Sequence, residues 1–103
     1  MLEKMKYEIM ILLNEEFNDS ELKTWAFKYA KELQNLGGSE ISVISRGKRN
    51  LAYPLKNQLK GNFIEITFFM LPSKLELFNN LLKLDENVLR SLILKNNLKV
   101  IEG

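Results

Sequence analysis

Residues 41–70, ISVISRGKRNLAYPLKNQLKGNFIEITFFM, read as two β-strands in succession with no helix between them. Ile41, Val43 and Ile44 begin the first strand. It runs into a basic stretch and resumes at Leu51-Ala52-Tyr53. Residues 57–60 turn the chain and Gly61 punctuates it. Asn62 to Met70 is the clearest strand of the chain, carrying Phe63, Ile64, Ile66, Phe68 and Phe69. Two adjacent strands set between helical segments restrict the topology, and the flanking sequence supplies those segments.

Upstream, Asn18 is an N-cap with Glu21 three residues later, the spacing of a capping box. Leu22, Trp25, Ala26, Tyr29, Leu33 and Leu36 then recur at helical spacing. Gly37-Gly38 ends the helix, because glycine enters the left-handed region without a Cβ penalty. Before it, Met5 to Leu13 alternates as a strand, with Met5, Tyr7, Ile9 and Ile11 on one face and Lys6, Glu8, Met10 and Leu12 on the other. That second face turns apolar along its length, which predicts that another element covers part of it. Downstream, Ser73 and Glu76 match a second capping box after Pro72, and Leu77, Phe78, Leu81 and Leu82 form the apolar side of a second helix. Residues 85–87 form a turn, residues 88–95 a last strand and residues 96–103 a short tail. The order is βαββαβ, the split βαβ or ferredoxin-like order of an α+β fold. It predicts one domain over residues 1–103, with a four-stranded antiparallel sheet and both helices on one face.

Composition removes most enzymatic chemistry. With 103 residues, no Cys and no His, the chain has no disulfide framework, no thiol nucleophile and no imidazole base. Its serines lack the histidine partner of a triad. The glycines fit neither a P-loop nor a dinucleotide fingerprint. Glu15-Glu16 and Asp85-Glu86 fall in turns, where solvated caps are the better reading than an acid/base pair. The expectation is a non-enzymatic protein with no cofactor and no metal. No apolar run reaches the length of a bilayer span, and the N-terminus lacks the apolar stretch of a signal peptide. No membrane partner is expected, and the interior of a cell or organelle is the expected compartment.

Charge is unevenly spread. Residues 41–63 contain Arg46, Lys48, Arg49, Lys56 and Lys60 and no acidic residue, a local +5 in a chain of net charge +2. Such a stripe is the footprint of a polyanion contact, with RNA the first choice and DNA not expected. On charge alone, a solvated hairpin explains it equally well. Lys60-Gly61-Asn62-Phe63 lacks the aromatic directly after glycine that an RNA-recognition-motif signature needs. Phe63 therefore reads as a core residue, with Tyr7 and Tyr53 open between packing and base stacking. Contacts to the RNA backbone through Arg and Lys are the expected mode.

The run Gly47-Lys48-Arg49-Asn50-Leu51-Ala52-Tyr53-Pro54-Leu55-Lys56 closely resembles the signature segment of the bacterial-type family of the sixth small-subunit ribosomal protein. The likeness extends to Tyr7-Glu8, to Gly61 with Phe63 two positions on, and to the segment Leu84 to Arg90. Arg46, in a position where the family often carries an aromatic or apolar residue, and the end at Gly103 without a long acidic extension depart from it. The resemblance implies a structural protein of the ribosome, in bacterial cytoplasm or plastid stroma. Its implied partners are the central domain of small-subunit rRNA and small-subunit ribosomal protein eighteen. Carried over by position, Lys48, Arg49 and Lys56 are the implied RNA contacts, and Arg46, Asn50 and Lys60 join them on charge and proximity. Arg90 matches a family arginine that serves RNA, partner or an internal ion pair. Tyr53 matches too and reads as a packing anchor rather than a stacking platform.

Two other functions suit the same fold. An acylphosphatase-like hydrolase wants an arginine in a phosphate-cradling loop after the first strand, but Asn14-Glu15-Glu16-Phe17 stands there and repels phosphate. A ligand-sensing regulatory domain of this order is usually fused to an enzyme, whereas a single domain standing alone is the expectation here.

Overall fold

The computed structural model of the chain describes residues 3–95, so the short tail at 96–103 lies outside the described residues. The elements run β1 (Met5–Asn14), α1 (Asp19–Asn35), β2 (Ser39–Leu55), β3 (Gln58–Met70), α2 (Pro72–Leu84) and β4 (Val88–Lys95). The strands form one sheet in the order β2-β3-β1-β4, and every neighbouring pair is antiparallel. This is the expected βαββαβ arrangement.

Side-chain alternation explains where the core lies. Ile9, Ile11 and Leu13 of β1 and Ile64, Ile66, Phe68 and Met70 of β3 point to one side and are almost completely buried. They share one cluster with Leu22, Trp25, Tyr29 and Leu33 of α1 and Phe78 and Leu82 of α2. Phe68 stacks edge-on against Phe78, and Phe78 edge-on against Tyr29, with ring centroids 5.8 and 6.0 Å apart. Tyr7 is buried beside Phe68, which settles it as a packing residue.

α1 begins as expected. Asn18 Oδ1 accepts from the Glu21 amide at 2.8 Å, and the Asn18 amide donates to Glu21 Oε1 at 3.0 Å. It ends in a Schellman motif. Gly37 takes φ +88°, the Gly38 amide donates to the Leu33 carbonyl at 2.7 Å and the Gly37 amide to that of Gln34 at 3.0 Å.

Three local expectations are corrected. α2 starts at Pro72, with Leu71 as an N-cap that makes no side-chain hydrogen bond. Proline fixes a helical φ and needs no amide partner, so it takes the first helical position and leaves Ser73 inside the first turn. On α2 it is Leu75, not Leu77, that packs inward beside Phe78, Leu81 and Leu82; Leu77 is exposed. The turn after β2 is shorter than expected. Lys56 and Asn57, with φ of 46° and 64°, close a two-residue hairpin in which Leu55 faces Gln58. Positive φ at both central residues is the signature of a type I′ turn, whose twist matches the flanking strands.

Asp85 has a role that its position in a turn conceals. Its Oδ2 accepts from Trp25 Nε1 at 2.9 Å and from the Tyr29 hydroxyl at 2.7 Å, and Oδ1 accepts from the Asn87 amide at 2.9 Å. One carboxylate thereby ties α1 to the α2–β4 turn. Burial pushes this carboxyl up, but the hydrogen bonds from Tyr29, Asn87 and Trp25 and the nearby Lys28 charge outweigh it and hold Asp85 below the usual carboxylate range. Tyr29 is driven the other way, upward, by burial first and then by Asp85 and Glu32.

Replacing Asp85 by Ala leaves two ring donors without a partner and should cost about 2–3 kcal/mol in urea unfolding. Since the folded-state pKa is depressed, this contribution is fully present above the unfolded value of about 4 and is lost as pH falls through the folded value. The stability gap between the native chain and Asp85→Asn should therefore be widest near neutral pH and close in acid.

Candidate nucleic-acid interface

The alternation that buries Ile9 and Ile66 sends Lys6, Glu8, Met10 and Leu12 of β1 and Phe63, Glu65, Thr67 and Phe69 of β3 to the opposite side of the sheet. No helix covers that side among the described residues, so the apolar drift of β1 is answered by its neighbours within the sheet. Phe63 lies opposite Leu12 on this open face. It is half-buried there and does not enter the helix-covered core, which corrects the expectation from sequence.

The open face is shaped by the β2–β3 hairpin. β3 begins at Gln58, whereas its pairing with β1 begins at Gly61 opposite Asn14, so the hairpin extends past the end of β1. The register of β2 against β3 shifts between Ser45 and Gly47 and again between Asn50 and Leu55. Such irregularities increase local twist and bend a strand. Gly47 sits at the first with φ +83°, and Pro54, which has no amide to donate, lies within the second. The bent tip reaches across to β4. Lys56 Nζ donates to the Val88 carbonyl at 3.1 Å, Arg90 Nη1 donates to the Tyr53 hydroxyl at 3.3 Å, and Gln58 Oε1 accepts from the Glu15 amide at 2.9 Å.

Beneath this bend lies a groove of about 540 Å³. Leu12 and Phe63 line its apolar part, and Leu51, Ala52 and Leu55 contribute further apolar surface. Arg46, Arg49, Asn50, Tyr53 and Glu65 line it from β2 and β3, and Arg90 from β4. Arg46 Nη2 donates to Glu65 Oε2 at 3.1 Å in an exposed ion pair. Three guanidinium groups thus stand against one carboxylate around a partly apolar surface.

The residues singled out by charge and resemblance are divided by this geometry. Arg46, Arg49, Asn50, Tyr53 and Arg90 come together at the groove. Lys48 does not: it pairs with Asn62, whose parity is that of the helix side. Lys60 has the same parity two residues earlier, and Lys56 is at the tip with its ammonium on a backbone carbonyl. Tyr53 is 57% exposed and is therefore no core anchor. Arg90 makes a bond within the chain, to a hydroxyl rather than to an acid. Leu12, Phe63 and Glu65 were missed as groove residues. The signal was available, since all three occupy the strand face opposite the aliphatic stripe.

A second, more apolar strip adjoins the groove. Met10, Leu12, Phe63 and Leu92 line a smaller hollow beside Arg90, and Leu92 and Leu94 are 48% and 41% exposed. In the loop after β1, the amides of Glu15 and Glu16 are already taken by Gln58 and by Asn14 Oδ1, which leaves no cradle for a phosphoryl group there. Among the described residues no three acidic side chains converge as a metal site.

Fold and groove together define a ferredoxin-like α+β protein whose charged side chains are laid out across a surface rather than gathered around a reacting centre. The family model for ribosomal protein S6 matches residues 6–95. The chain is 66% identical over 89 residues to small ribosomal subunit protein bS6c of Trieres chinensis, covering 86% of this chain and 93% of that one. It is 57% identical over 93 residues to bS6c of Phaeodactylum tricornutum, covering 90% and 95%. A bacterial relative, bS6 of Dictyoglomus turgidum, is 39% identical over 88 residues, with 85% and 91% covered. The crystal structure of the 30S ribosomal protein S6 from Thermotoga maritima superposes with a TM-score of 0.83, covering 90% of this chain and 88% of that one, and at 20% identity this likeness shows the fold. The chain belongs to the ribosomal protein S6 family, whose plastid-type and bacterial members are proteins of the small ribosomal subunit and not enzymes.

Gly47 is the residue on which this layout turns. A Cβ there meets nothing within 4 Å, so Gly47→Ala tests φ alone. It should cost about 1–2 kcal/mol of stability and should separate Arg46 from Glu65, which the side-chain resonances of Arg46 would register in NMR spectra.

Proposed function

We propose that this protein binds the central domain of small-subunit rRNA together with small-subunit ribosomal protein eighteen. The observation that carries the RNA part is the convergence of Arg46, Arg49 and Arg90 on one exposed groove of the open sheet face. Guanidinium groups match phosphate geometry bidentately and stack on bases, which suits them to an RNA surface. Membership of a ribosomal-protein family supplies the setting. The apolar strip of Met10, Leu92 and Leu94 next to the arginines supports the protein part, because interfaces join an apolar centre to a polar rim. In this reading RNA and partner meet on adjoining parts of the same sheet face, which ties the binding of one to the presence of the other. The open groove residues bear the main RNA contact. Lys48, Lys56 and Lys60 act as an outer electrostatic field around the hairpin.

Salt dependence separates these roles. Replacing Arg49 or Arg90 by Ala should lower the slope of log affinity against log salt by about 0.7–0.9 for each phosphate that the variant no longer neutralises, in titrations of a central-domain rRNA fragment with the partner protein present. Lys48→Ala and Lys60→Ala should change it less. Equal slopes for all four variants would remove the groove from the RNA contact. For the partner, Leu92→Asp places a charge in the apolar strip and should reduce calorimetric affinity for ribosomal protein eighteen by about ten-fold or more. Unfolding should change little, since Leu92 is already exposed.

A further inference from the structure

The groove holds two opposite hydrogen-bonding chemistries within one small space. Arg46, Arg49 and Arg90 only donate, and Glu65 in its ionised form only accepts. Glu65 commits Oε2 to Arg46, and no intramolecular hydrogen bond engages Oε1 among the described residues. Tyr53, exposed over most of its surface and held at its hydroxyl by Arg90, offers a ring face at the groove. Phe63 supplies apolar surface opposite Leu12. Phosphate contact alone needs the arginines and is opposed by a carboxylate among them. The presence of Glu65 therefore calls for a ligand that brings donors as well as negative charge.

Among the nucleobases, guanine meets this demand best. It carries two acceptors, O6 and N7, on one edge and the N1–H and N2–H donors on the next. An arginine reads the first pair and a carboxylate the second. Adenine and cytosine each offer only the donors of one amino group, and uracil a single N–H. A groove of about 540 Å³ is also the size of a small-ligand site rather than of a flat backbone contact. We infer that the open-face groove captures one unstacked guanosine of an RNA chain, with Glu65 accepting from the base, an arginine donating to O6 and N7, and Tyr53 stacking on the ring. The remaining arginines hold the flanking phosphates. Single-stranded positions are where RNA is read base by base, since their edges are free. The inference rests on the RNA-binding reading above and adds a base preference that backbone contact does not produce.

The experiment uses the full chain and two fluorescent single-stranded RNAs of about ten nucleotides, one all uridine and one with a single central guanosine, at matched low salt. The native protein should prefer the guanosine strand by about ten-fold or more. Glu65→Gln should lose that preference, to less than about two-fold, while its affinity for the uridine strand rises because Arg46 is released and a negative charge is gone. Opposite changes on the two strands in one variant are not the result of unfolding. A preference that survives in Glu65→Gln overturns the inference. So does salt-sensitive binding of both strands with equal affinity, which leaves the RNA-binding reading intact. Failure of both strands to bind at low salt, with ribosomal protein eighteen present as well as without it, brings down both readings. If the guanosine strand leaves the Phe63 and Tyr53 ring resonances unmoved while ribosomal protein eighteen shifts them, the groove takes a protein side chain and the inference is wrong.

Discussion

Strict alternation along β1 and β3 is the constraint on which the remaining architecture depends. These are the two central strands, and their inward residues, from Ile9 to Leu13 and from Ile64 to Met70, are almost wholly removed from water. At about 1.5–3 kcal/mol for each large apolar side chain buried, this stripe outweighs every polar contact in the chain. A register slip of one residue would put Lys6, Glu8 and Glu65 under the helices, so pairing is pinned and the helices have only one face to cover. The other face is left for function. Arg90 stands opposite Leu12 and Glu65 opposite Met10 because the inward positions are already claimed.

The hairpin then converts an open face into a groove. β2 is an edge strand of 17 residues, longer than the core beneath it requires. Three register shifts interrupt it, the last two toward the hairpin tip, and that tip is pinned to β4 through Lys56 and Tyr53 and to the β1–α1 loop through Gln58. Bulges and proline also protect an edge strand from pairing with other chains. The same irregularities that keep this edge from aggregating aim its arginines across the sheet.

Much of this was legible in sequence, for identifiable physical reasons. The capping box at Asn18, the glycine stop at Gly37 and the strand pattern at Asn62–Met70 are local signals, each complete within a few residues. The misreadings share an origin in competition or distance. Ser73 and Glu76 fit a capping box, but Pro72 offered a helix start that needs no cap. Lys56-Asn57 lacks the glycine that usually announces a type I′ turn. Phe63 and Tyr53 are aromatic, and aromatics in strands are assigned to the core by habit, yet the parity of Phe63 and the bend beyond Asn50 send them to the open face. Asp85 looked like a solvated turn acid because its partners, Trp25 and Tyr29, are 60 and 56 residues away. Charge density found the basic hairpin. It did not separate Arg49 from Lys48, since neighbouring residues on a strand face opposite ways.

That separation bears on how such a surface would be kept ready for the RNA proposed as its partner. Arginines left free over an apolar floor repel one another and sample many rotamers, and ordering them on binding would carry an entropic cost. Here Glu65 holds Arg46, and Tyr53 meets Arg90, each through a single exposed contact. Exposed pairs of this kind contribute at most about 1 kcal/mol, so they add little to stability and are easily exchanged for a phosphate. Their weakness is what makes them useful: they narrow the positions of the guanidinium groups in the free protein without competing strongly for them. A buried ion pair would fix the same geometry and withhold the charge. The open sheet face, left without a helix by the burial pattern of β1 and β3, is what keeps these pairs in solvent and the arginines available.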